Sequence, residues 1–251
     1  MKVVKNEKTA EIVGLCFGDG SLTIRHSGIK KGKLRFQMRG HVIEDRAHYD
    51  NYVKPLFEET IGKISITIYN GKKPYYGIAS ENQKFCKHLV SLGVHVGVKN
   101  ELKIPEWISK NRNYIKGFLR GYFDTDGCIF CQKSYNVQNS LHRLIKIIFG
   151  SSSKKLICDV HTLLNKIEIK SVIKNPLLRK EKNWKTLHIL RIESNHGVEK
   201  WFNIIGSNNP KHATKFQVWK QFGFCPPHTT IKQRRMILNK EINPALFYNK
   251  K

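Results

Sequence analysis

Two aspartates occupy matching positions in the sequence, each followed by a glycine, at Asp19-Gly20 and Asp126-Gly127. Each pair ends a run in which a small residue recurs at every fourth position. The runs align at a constant offset of 107 residues, and their small residues are Ala10, Gly14 and Gly18, then Gly117, Gly121 and Thr125. Two carboxylates brought close together repel each other unless a cation lies between them. The paired aspartates therefore predict a cation-dependent site.

Both runs are predicted to be helices, because residues four apart lie on one face of a helix. A glycine inside a helix costs about 1 kcal/mol relative to alanine, but a stripe of small residues lets two helix backbones approach closely. We therefore predict that the helices pack along these stripes and bring Asp19 and Asp126 together. The alternative is a pair of ordinary core helices ended by Gly20 and Gly127. Such C-terminal caps account for the glycines and not for the aspartates before them.

The pattern after each of these two helices is also duplicated. Two strand-like runs, a helix, two more strand-like runs and a last helix follow. The later helices are predicted at residues 52–61 and 85–93 in the first half, and at 158–167 and 198–206 in the second. The sequence thus predicts an α+β fold of two pseudo-symmetric αββαββα repeats. We assign residues 1–108 to the first repeat, 109–223 to the second and 224–251 to a basic C-terminal tail.

The charge of the chain indicates a polyanionic partner. Lys and Arg number 45 and Asp and Glu 19, which gives a net charge of +26. A globular chain this basic repels itself, and the usual reason to carry such a charge is nucleic acid. The sequence contains no apolar run as long as a membrane span, and its first residues lack the apolar core of a signal peptide. We expect a cytoplasmic or organellar, nucleoid-associated protein and not a secreted one.

The two runs that end in Asp-Gly, residues 12–20 and 119–127, each resemble the LAGLIDADG motif. The resemblance extends over about residues 8–223 and implies a monomeric, two-repeat homing endonuclease. In this family two curved antiparallel sheets form a saddle over the DNA major groove, around the central pair of motif helices. The acidic residue of the family is the last Asp of each motif, which corresponds to Asp19 and Asp126. The sixth motif position is Phe17 in one copy and Asp124 in the other, and we expect Asp124 to be a helix-end or surface charge.

The resemblance also implies the reaction and its ligands. Two Mg²⁺-binding aspartates, with backbone carbonyls from Gly18 and Thr125, would hydrolyse a phosphodiester in each strand and leave 3′ overhangs. Mn²⁺ or Ca²⁺ would substitute for Mg²⁺ in binding. The basic residue near each scissile phosphate is predicted to be Lys99 and Lys211, although a surface lysine that neutralises phosphate is an alternative for each. The water-positioning side chain, often Gln in the family, falls near residues 40–41 and 151–152 and is left unassigned.

Candidate DNA-reading residues follow from alternation along the strands. In residues 33–39 the apolar side chains face the helices, and the polar ones face the other way. Arg pairs well with guanine and Gln with adenine in the major groove, although a solvated sheet face is the simpler alternative for any one strand. The candidates in the first repeat are Lys33, Arg35, Gln37, Arg39, Ser65, Thr67 and Tyr69. Weaker candidates are Lys146 and His188 in the second repeat, and Lys232, Arg234 and Arg235 in the tail, which disorder would equally explain.

Three functions fit this scaffold. The first is a site-specific endonuclease for double-stranded DNA, which we expect to be free-standing and intron-encoded because the chain lacks the terminal residues of an intein. The second is a maturase that binds intron RNA, which a basic surface alone does not exclude. The third is a DNA-binding regulator that does not cut. A regulator needs no acidic pair, so Asp19 and Asp126 favour an enzyme over the third function.

Overall fold

A computed structural model of the chain describes residues 4–99, 101–134, 141–177 and 185–248. The first repeat begins with α1, which is capped by Asn6: its side chain accepts a hydrogen bond from the Thr9 amide at 2.8 Å, and the Thr9 hydroxyl accepts one from the Asn6 amide at 2.8 Å. The elements of this repeat, in order, are α1 (Glu7–Phe17), β1 (Gly20–Ile24), β2 (Leu34–Gly40), α2 (Arg46–His48), a π-helical segment (Tyr49–Val53), α3 (Lys54–Thr60), β3 (Ser65–Tyr69), β4 (Tyr75–Ser80) and α4 (Gln83–Ser91).

The second repeat has the same order of elements, which confirms the predicted duplication. Its elements are α5 (Arg112–Asp126), β5 (Gly127–Lys133), β6 (His142–Ser151), α6 (Lys154–Lys166), β7 (Val172–Leu177), β8 (Leu187–Ile192) and α7 (Asn195–Ile204). Two further helices follow, α8 (Pro210–Phe222) and α9 (Ile231–Leu238). We did not predict them, although Asn209 and Pro210 form a helix start that the sequence already displays: the Asn209 side chain accepts from the Lys211 amide at 3.0 Å.

Each repeat contains one antiparallel sheet of four strands, in the order β1-β2-β4-β3 in the first and β5-β6-β8-β7 in the second. One face of each sheet packs against helices. Phe36 and Met38 from β2, and Ile147 and Phe149 from β6, are fully buried in the common core. The other face of each sheet points away from this core, so alternate residues along the strands are presented on it.

The centre of the molecule is the contact between α1 and α5, which the small residues make possible. A Cβ atom on Gly14 would lie 2.1 Å from the carbonyl oxygen of Phe118, and one on Gly121 would lie 2.2 Å from that of Glu11. Both distances are far inside van der Waals contact, so neither position accepts a larger side chain without separating the helices. The structure thus contains the helix packing that the stripes predicted.

A buried ion network joins the two repeats beside this contact. Glu11 is 1% exposed and accepts hydrogen bonds from Arg120 at 2.6 Å, from the Tyr52 hydroxyl at 2.7 Å and from the Asn208 amide group at 3.0 Å. Arg120 also donates to Glu7 at 2.8 Å. A buried charge is tolerated when it is paired and hydrogen-bonded, and this network meets that condition on both sides. It fixes one alignment of α1 against α5.

No helix in the described parts of the chain is long and apolar enough to cross a membrane.

Candidate active site

The two aspartates lie where the motif helices end and meet. Asp126 is the last residue of α5, and Asp19 lies between the end of α1 and the start of β1. The helix ends touch, since a Cβ atom on Gly18 would lie 1.9 Å from the Thr125 hydroxyl oxygen and 3.3 Å from the Asp126 amide nitrogen. Because Gly18 has no side chain, the backbone just before Asp19 packs closely against the backbone at Asp126. The two aspartates therefore lie side by side at the ends of their helices.

The electrostatics of this pair favour a bound cation. Burial and repulsion from Asp126 and Asp45 together raise the pKa of Asp19 to about 7, against the opposing effect of Lys211 and Lys99. Although Asp126 is exposed to solvent, burial by the protein around it raises the pKa of its carboxyl to about 6, against the opposing effect of Lys99 and Lys211. Both raised pKa values mean that the positive charges of the protein alone do not fully compensate the two ionised carboxylates.

Lys99 lies at the end of α1. Its Nζ donates to the carbonyl oxygens of Cys16 at 2.9 Å, Phe17 at 3.0 Å and Gly18 at 2.5 Å. A cation here complements the partial negative charge at a helix C-terminus. Burial lowers the pKa of Lys99, while Asp126 and Asp19 act in the opposite direction. The Gly18 carbonyl, a predicted metal ligand, is thus shared with this lysine.

Lys211 approaches the pair from the first turn of α8, and it is held by an acid that we did not predict. Its Nζ lies 3.1 Å from Oδ1 of Asp45, a residue of the first repeat. Asp45 also accepts from the His41 amide at 2.8 Å and from the Asn209 side chain at 3.3 Å. Burial pushes the pKa of Asp45 upward, but Lys211 and these hydrogen bonds outweigh it and the pKa is lowered. Asp45 is therefore charged and holds Lys211 across the boundary between repeats.

Of the two positions predicted for Asp124, the helix end is correct and the surface is wrong. Asp124 lies in the last turn of α5 and is only 2% exposed. Its carboxylate accepts from the Ser207 hydroxyl at 2.5 Å and from the Asn208 amide at 2.9 Å. The Asn209 side chain donates to the Asp124 carbonyl oxygen at 2.9 Å. Burial raises its pKa to about 7. Asp124 is a structural acid that fixes the segment leading to Lys211.

The residues present fit a divalent ion completed by ligands from outside the protein. Within the described residues there is no group of three or more His, Cys, Asp or Glu side chains placed to hold a metal ion. Mg²⁺ characteristically uses one or two carboxylates, and takes its other ligands from phosphate oxygens and waters. Asp19 and Asp126 supply that number of carboxylates. The Thr125 hydroxyl lies within hydrogen-bond distance of the carbonyl oxygens of Gly121 at 3.0 Å and Tyr122 at 3.1 Å, so its proton points back into α5.

The sheet register places the DNA-reading candidates of the first repeat on one face. Gln37 pairs with Ala79, which pairs in turn with Ser65, and residues paired across strands point to the same side. The same face carries Arg35 and Arg39 from β2, and Thr67 and Tyr69 from β3. Lys33 lies exposed just before β2. The register adds residues that we did not predict, namely Ser21 and Thr23 opposite Gln37 and Arg35, and Tyr75, whose ring lies 4.6 Å from the Arg39 guanidinium.

The second repeat corrects one of its two candidates. Lys146 lies opposite Phe130 on the face away from the core. His188 pairs with Ser151, two positions from the pair of Leu190 with the buried Phe149, so its side chain lies on the helix side and not on the predicted face. Arg191, opposite Ile148, takes the position expected for a DNA-reading residue.

The three DNA-binding candidates in the tail are partly exposed and partly buried. Lys232 and Arg235 are exposed on α9, whereas Arg234 is 2% exposed, which excludes it as a DNA contact in this conformation. Its guanidinium donates to the Thr214 hydroxyl at 2.8 Å and to the Thr229 carbonyl oxygen. Arg234 instead joins α9 to α8. The alternative that these tail residues are disordered is wrong, because α9 is an ordered helix packed on α8.

The fold and the paired helix ends define the class of protein. Residues 113–206 match the family model described as a LAGLIDADG-like domain, and the chain has the two-repeat LAGLIDADG fold. Two structures of the homing endonuclease I-DmoI share it. Its complex with DNA and Mn matches with a TM-score of 0.55 and 17% identity, over 80% of this chain and 96% of that chain. Its complex with DNA and Ca matches with a TM-score of 0.54 and 16% identity, over 80% and 91%.

The fold is also found in DUF199/WhiA. Full-length DUF199/WhiA from Thermatoga maritima matches with a TM-score of 0.50 and 16% identity, over 80% of this chain and 55% of that chain. Among curated proteins, none matches the sequence of this chain. At these identities the similarities establish the fold, and the chemistry has to be argued from the site itself.

Proposed function

We propose that this chain is a monomeric, site-specific endonuclease that hydrolyses both strands of double-stranded DNA with Mg²⁺, for which Mn²⁺ or Ca²⁺ substitutes in binding. The observation that carries the proposal is the meeting of Asp19 and Asp126 at the ends of α1 and α5, with Lys99 and Lys211 acting on both carboxylates. A DNA-binding protein that does not cut has no need for two under-compensated carboxylates at its centre. The I-DmoI complexes with DNA and Mn or Ca support the proposal by analogy of fold.

The proposed roles follow from the contacts. Asp19 and Asp126 would hold the divalent ions, together with the backbone carbonyls of Gly18 and Thr125. When bound, such ions activate the attacking water and stabilise the leaving oxygen. Lys99 and Lys211 would lie near the two scissile phosphates and compensate their charge. One acid from each pseudo-symmetric repeat matches one cut in each strand, and we propose 3′ overhangs on the products.

The polar face of the first sheet would read bases in the major groove, and the exposed basic residues around it would contact phosphates and set orientation. Arg35, Gln37 and Arg39 are the central readers in this proposal. Lys232 and Arg235 on α9 would contact the backbone. Because both repeats belong to one chain, a dimer is not needed to reach two half-sites. We further propose an intron-encoded enzyme that acts in the cytoplasm or an organelle.

The test begins by selecting a bound site from a randomised duplex library. Wild type, Asp19→Asn and Asp126→Asn are then compared on that site for cleavage with Mg²⁺ and for binding with Ca²⁺. We expect wild type to cut both strands, and each variant to bind but to lose about a hundredfold or more in the rate of double-strand cleavage, as when a transition-state charge contact is removed. Glu59→Gln is a matched control, because Glu59 is exposed and forms a surface ion pair with Lys8.

Three results would contradict the proposal. Wild type that binds the selected DNA but never cuts it would indicate a regulator, and both aspartates would then be structural. Wild type that prefers folded intron RNA to duplex DNA would indicate a maturase. Equal cleavage by wild type and both variants would show that the reaction proceeds elsewhere on the molecule.

A further inference from the structure

The outward faces of the two sheets differ in chemistry, although their topologies are the same. In the first sheet the face carries hydroxyl, amide and guanidinium groups. In the second sheet, the register places one row of Cys128, Ile148, Arg191 and Val172 side by side across all four strands. The neighbouring positions on that face add Phe130 opposite Lys146, and Leu144 opposite Gln132. The second face is therefore mainly apolar.

This apolar surface is open to solvent. Val172 is 48% exposed and Leu144 is 39% exposed, and Cys128 is exposed as well. The core lies on the opposite side of the sheet, where Ile147, Phe149 and Leu190 are fully buried. An outward strand position normally carries a polar residue when its only neighbour is water. An apolar row there indicates contact with an apolar group of a partner.

The apolar row lies within a basic surface, which identifies the partner. Arg191 interrupts the row, and Lys146 and Lys174 lie on the same face beside it. Glu193 pairs with Lys174 at 2.9 Å and lies 4.0 Å from Arg191. A protein partner would have to desolvate these cations, whereas a nucleic acid would neutralise them with phosphates. In the major groove of DNA, the base edges display one apolar group, the C5-methyl group of thymine.

Building on the proposed function, we propose that the second sheet recognises its half of the DNA target through thymine methyl groups, with the row formed by Cys128, Ile148 and Val172 as the contact surface. The first sheet has the opposite character, since Arg35, Gln37 and Arg39 match the hydrogen-bonding edges of purines. The target is then asymmetric: thymine-rich on the side of the second sheet, and read by hydrogen bonds on the side of the first. Lys146 and Arg191 contact phosphates or guanine and so fix the position of the DNA along the sheet.

The experiment replaces thymine by deoxyuridine, which removes the methyl group and leaves base pairing unchanged. On the site selected from a randomised library, each thymine facing the second sheet is replaced in turn and the Kd is measured with Ca²⁺. Each replacement should weaken binding about fourfold, the factor that corresponds to burying one methyl group. The same replacement in the other half-site should change the Kd less than about 1.5-fold, because no apolar surface contacts it there.

A protein variant assigns the effect to the sheet. Val172→Thr keeps the shape of an exposed edge-strand side chain and replaces one methyl group by a hydroxyl. It should reduce the effect of deoxyuridine at the facing position to about twofold or less, because the methyl contact is then already lost. Val90→Thr is the matched control, since Val90 is 41% exposed on α4 and lies on neither sheet. It should leave the fourfold effect unchanged.

The outcomes separate this inference from the proposed function. A protein that binds and cuts a selected site with no sensitivity to deoxyuridine in either half would refute methyl recognition and leave the endonuclease intact. Equal sensitivity in both half-sites would refute the asymmetry. Methyl-dependent binding without any cleavage would support the inference and refute the endonuclease.

Discussion

Replacing Asp19 by asparagine should stabilise the protein while destroying its proposed activity, because the acid is held in an unfavourable charge state. The pKa of Asp19 rises from 3.8 to about 7 through burial and through repulsion by Asp126 and Asp45. That rise corresponds to about 4 kcal/mol against the ionised form at neutral or higher pH. Asp19 is partly exposed, and solvent screening reduces the effect to about 2 kcal/mol. Asp19→Asn should therefore raise the Tm of the metal-free protein by about 4–8 °C at pH 8.

The dependence on pH has a definite sign. A carboxyl whose pKa is raised in the folded protein keeps a proton that the unfolded chain has already released. The wild-type protein in EDTA should thus lose stability as the pH rises from about 4 to about 7, and the advantage of Asp19→Asn should grow over the same window. Below about pH 4 both proteins carry a neutral side chain at this position, so the difference should vanish.

The assay is urea unfolding in EDTA across this pH range, repeated with Mg²⁺. A cation between the carboxylates favours the ionised form, so Mg²⁺ should stabilise wild type at pH 8 more than it stabilises Asp19→Asn. Glu59→Gln, at an exposed ion pair, should change the free energy of unfolding by less than about 0.5 kcal/mol. If Asp19→Asn instead lowers the stability of the metal-free protein at pH 8, Asp19 has favourable partners, and its interpretation as an under-compensated metal ligand is refuted.

Three further changes have expected outcomes. Gly14→Ala should destabilise the protein by about 2–4 kcal/mol in urea unfolding, because the added Cβ meets a carbonyl oxygen of α5 at 2.1 Å. Arg120→Met should cost about 3–5 kcal/mol in the same assay, since Glu11 would remain buried with its main cation removed. Asp45→Asn should leave DNA binding intact but lower the cleavage rate about tenfold by releasing Lys211. It should also move the acid limb of the pH–rate profile to lower pH, because losing the Asp45 charge lowers the pKa of Asp19 more than releasing Lys211 raises it.

Two of these changes have a control, and the third has an outcome that separates its two effects. Gly150→Ala adds a Cβ that meets Leu187 at 3.4 Å, an ordinary contact, and full stability of Gly14→Ala would show that α1 and α5 do not pack as described. Glu11→Gln with Arg120→Met should recover part of the loss, because the buried charge is removed. An Asp45→Asn enzyme with a slower rate and an unmoved pH profile would show that Asp45 acts only by holding Lys211.

The sequence predicted the order of elements because two periodicities coincided with a repeat. Alternation along β2 predicts a sheet with one buried face, and a four-residue stripe of small side chains in α1 and α5 predicts close helix packing. The duplication provides an independent check on both. His188 was misplaced for a corresponding reason. Residues 187–192 are apolar at Leu187, Ile189, Leu190 and Ile192, so neither face is marked, and only the pairing of β8 with β6 decides it.

Arg234 and Asp45 show a different limit of sequence analysis. From composition alone, every charged residue of a basic chain is expected to be exposed. Arg234 is instead buried between α9 and α8, where the Thr214 hydroxyl and the Thr229 carbonyl oxygen accept its hydrogen bonds. Asp45 is recognised as part of the site only in the folded structure, where the Nζ of Lys211, a residue far away in sequence, lies 3.1 Å from Oδ1 of Asp45. Pairings between distant segments of this kind depend on tertiary structure, and no local pattern encodes them.

The pseudo-symmetry that made the fold predictable breaks down at the cations of the site. Lys99 is held within the first repeat by the last carbonyl oxygens of α1. Lys211 is held by Asp45, which belongs to the other repeat. The Arg234 guanidinium donates to the Lys211 carbonyl oxygen and so connects α9 to the helix that carries Lys211. Carbonyl dipoles and a full negative charge compensate an ammonium group to different degrees, so the two lysines keep different amounts of uncompensated positive charge. Together with the unlike faces of the two sheets, this difference means that the two halves of the molecule would present different environments to the two strands of the proposed DNA target.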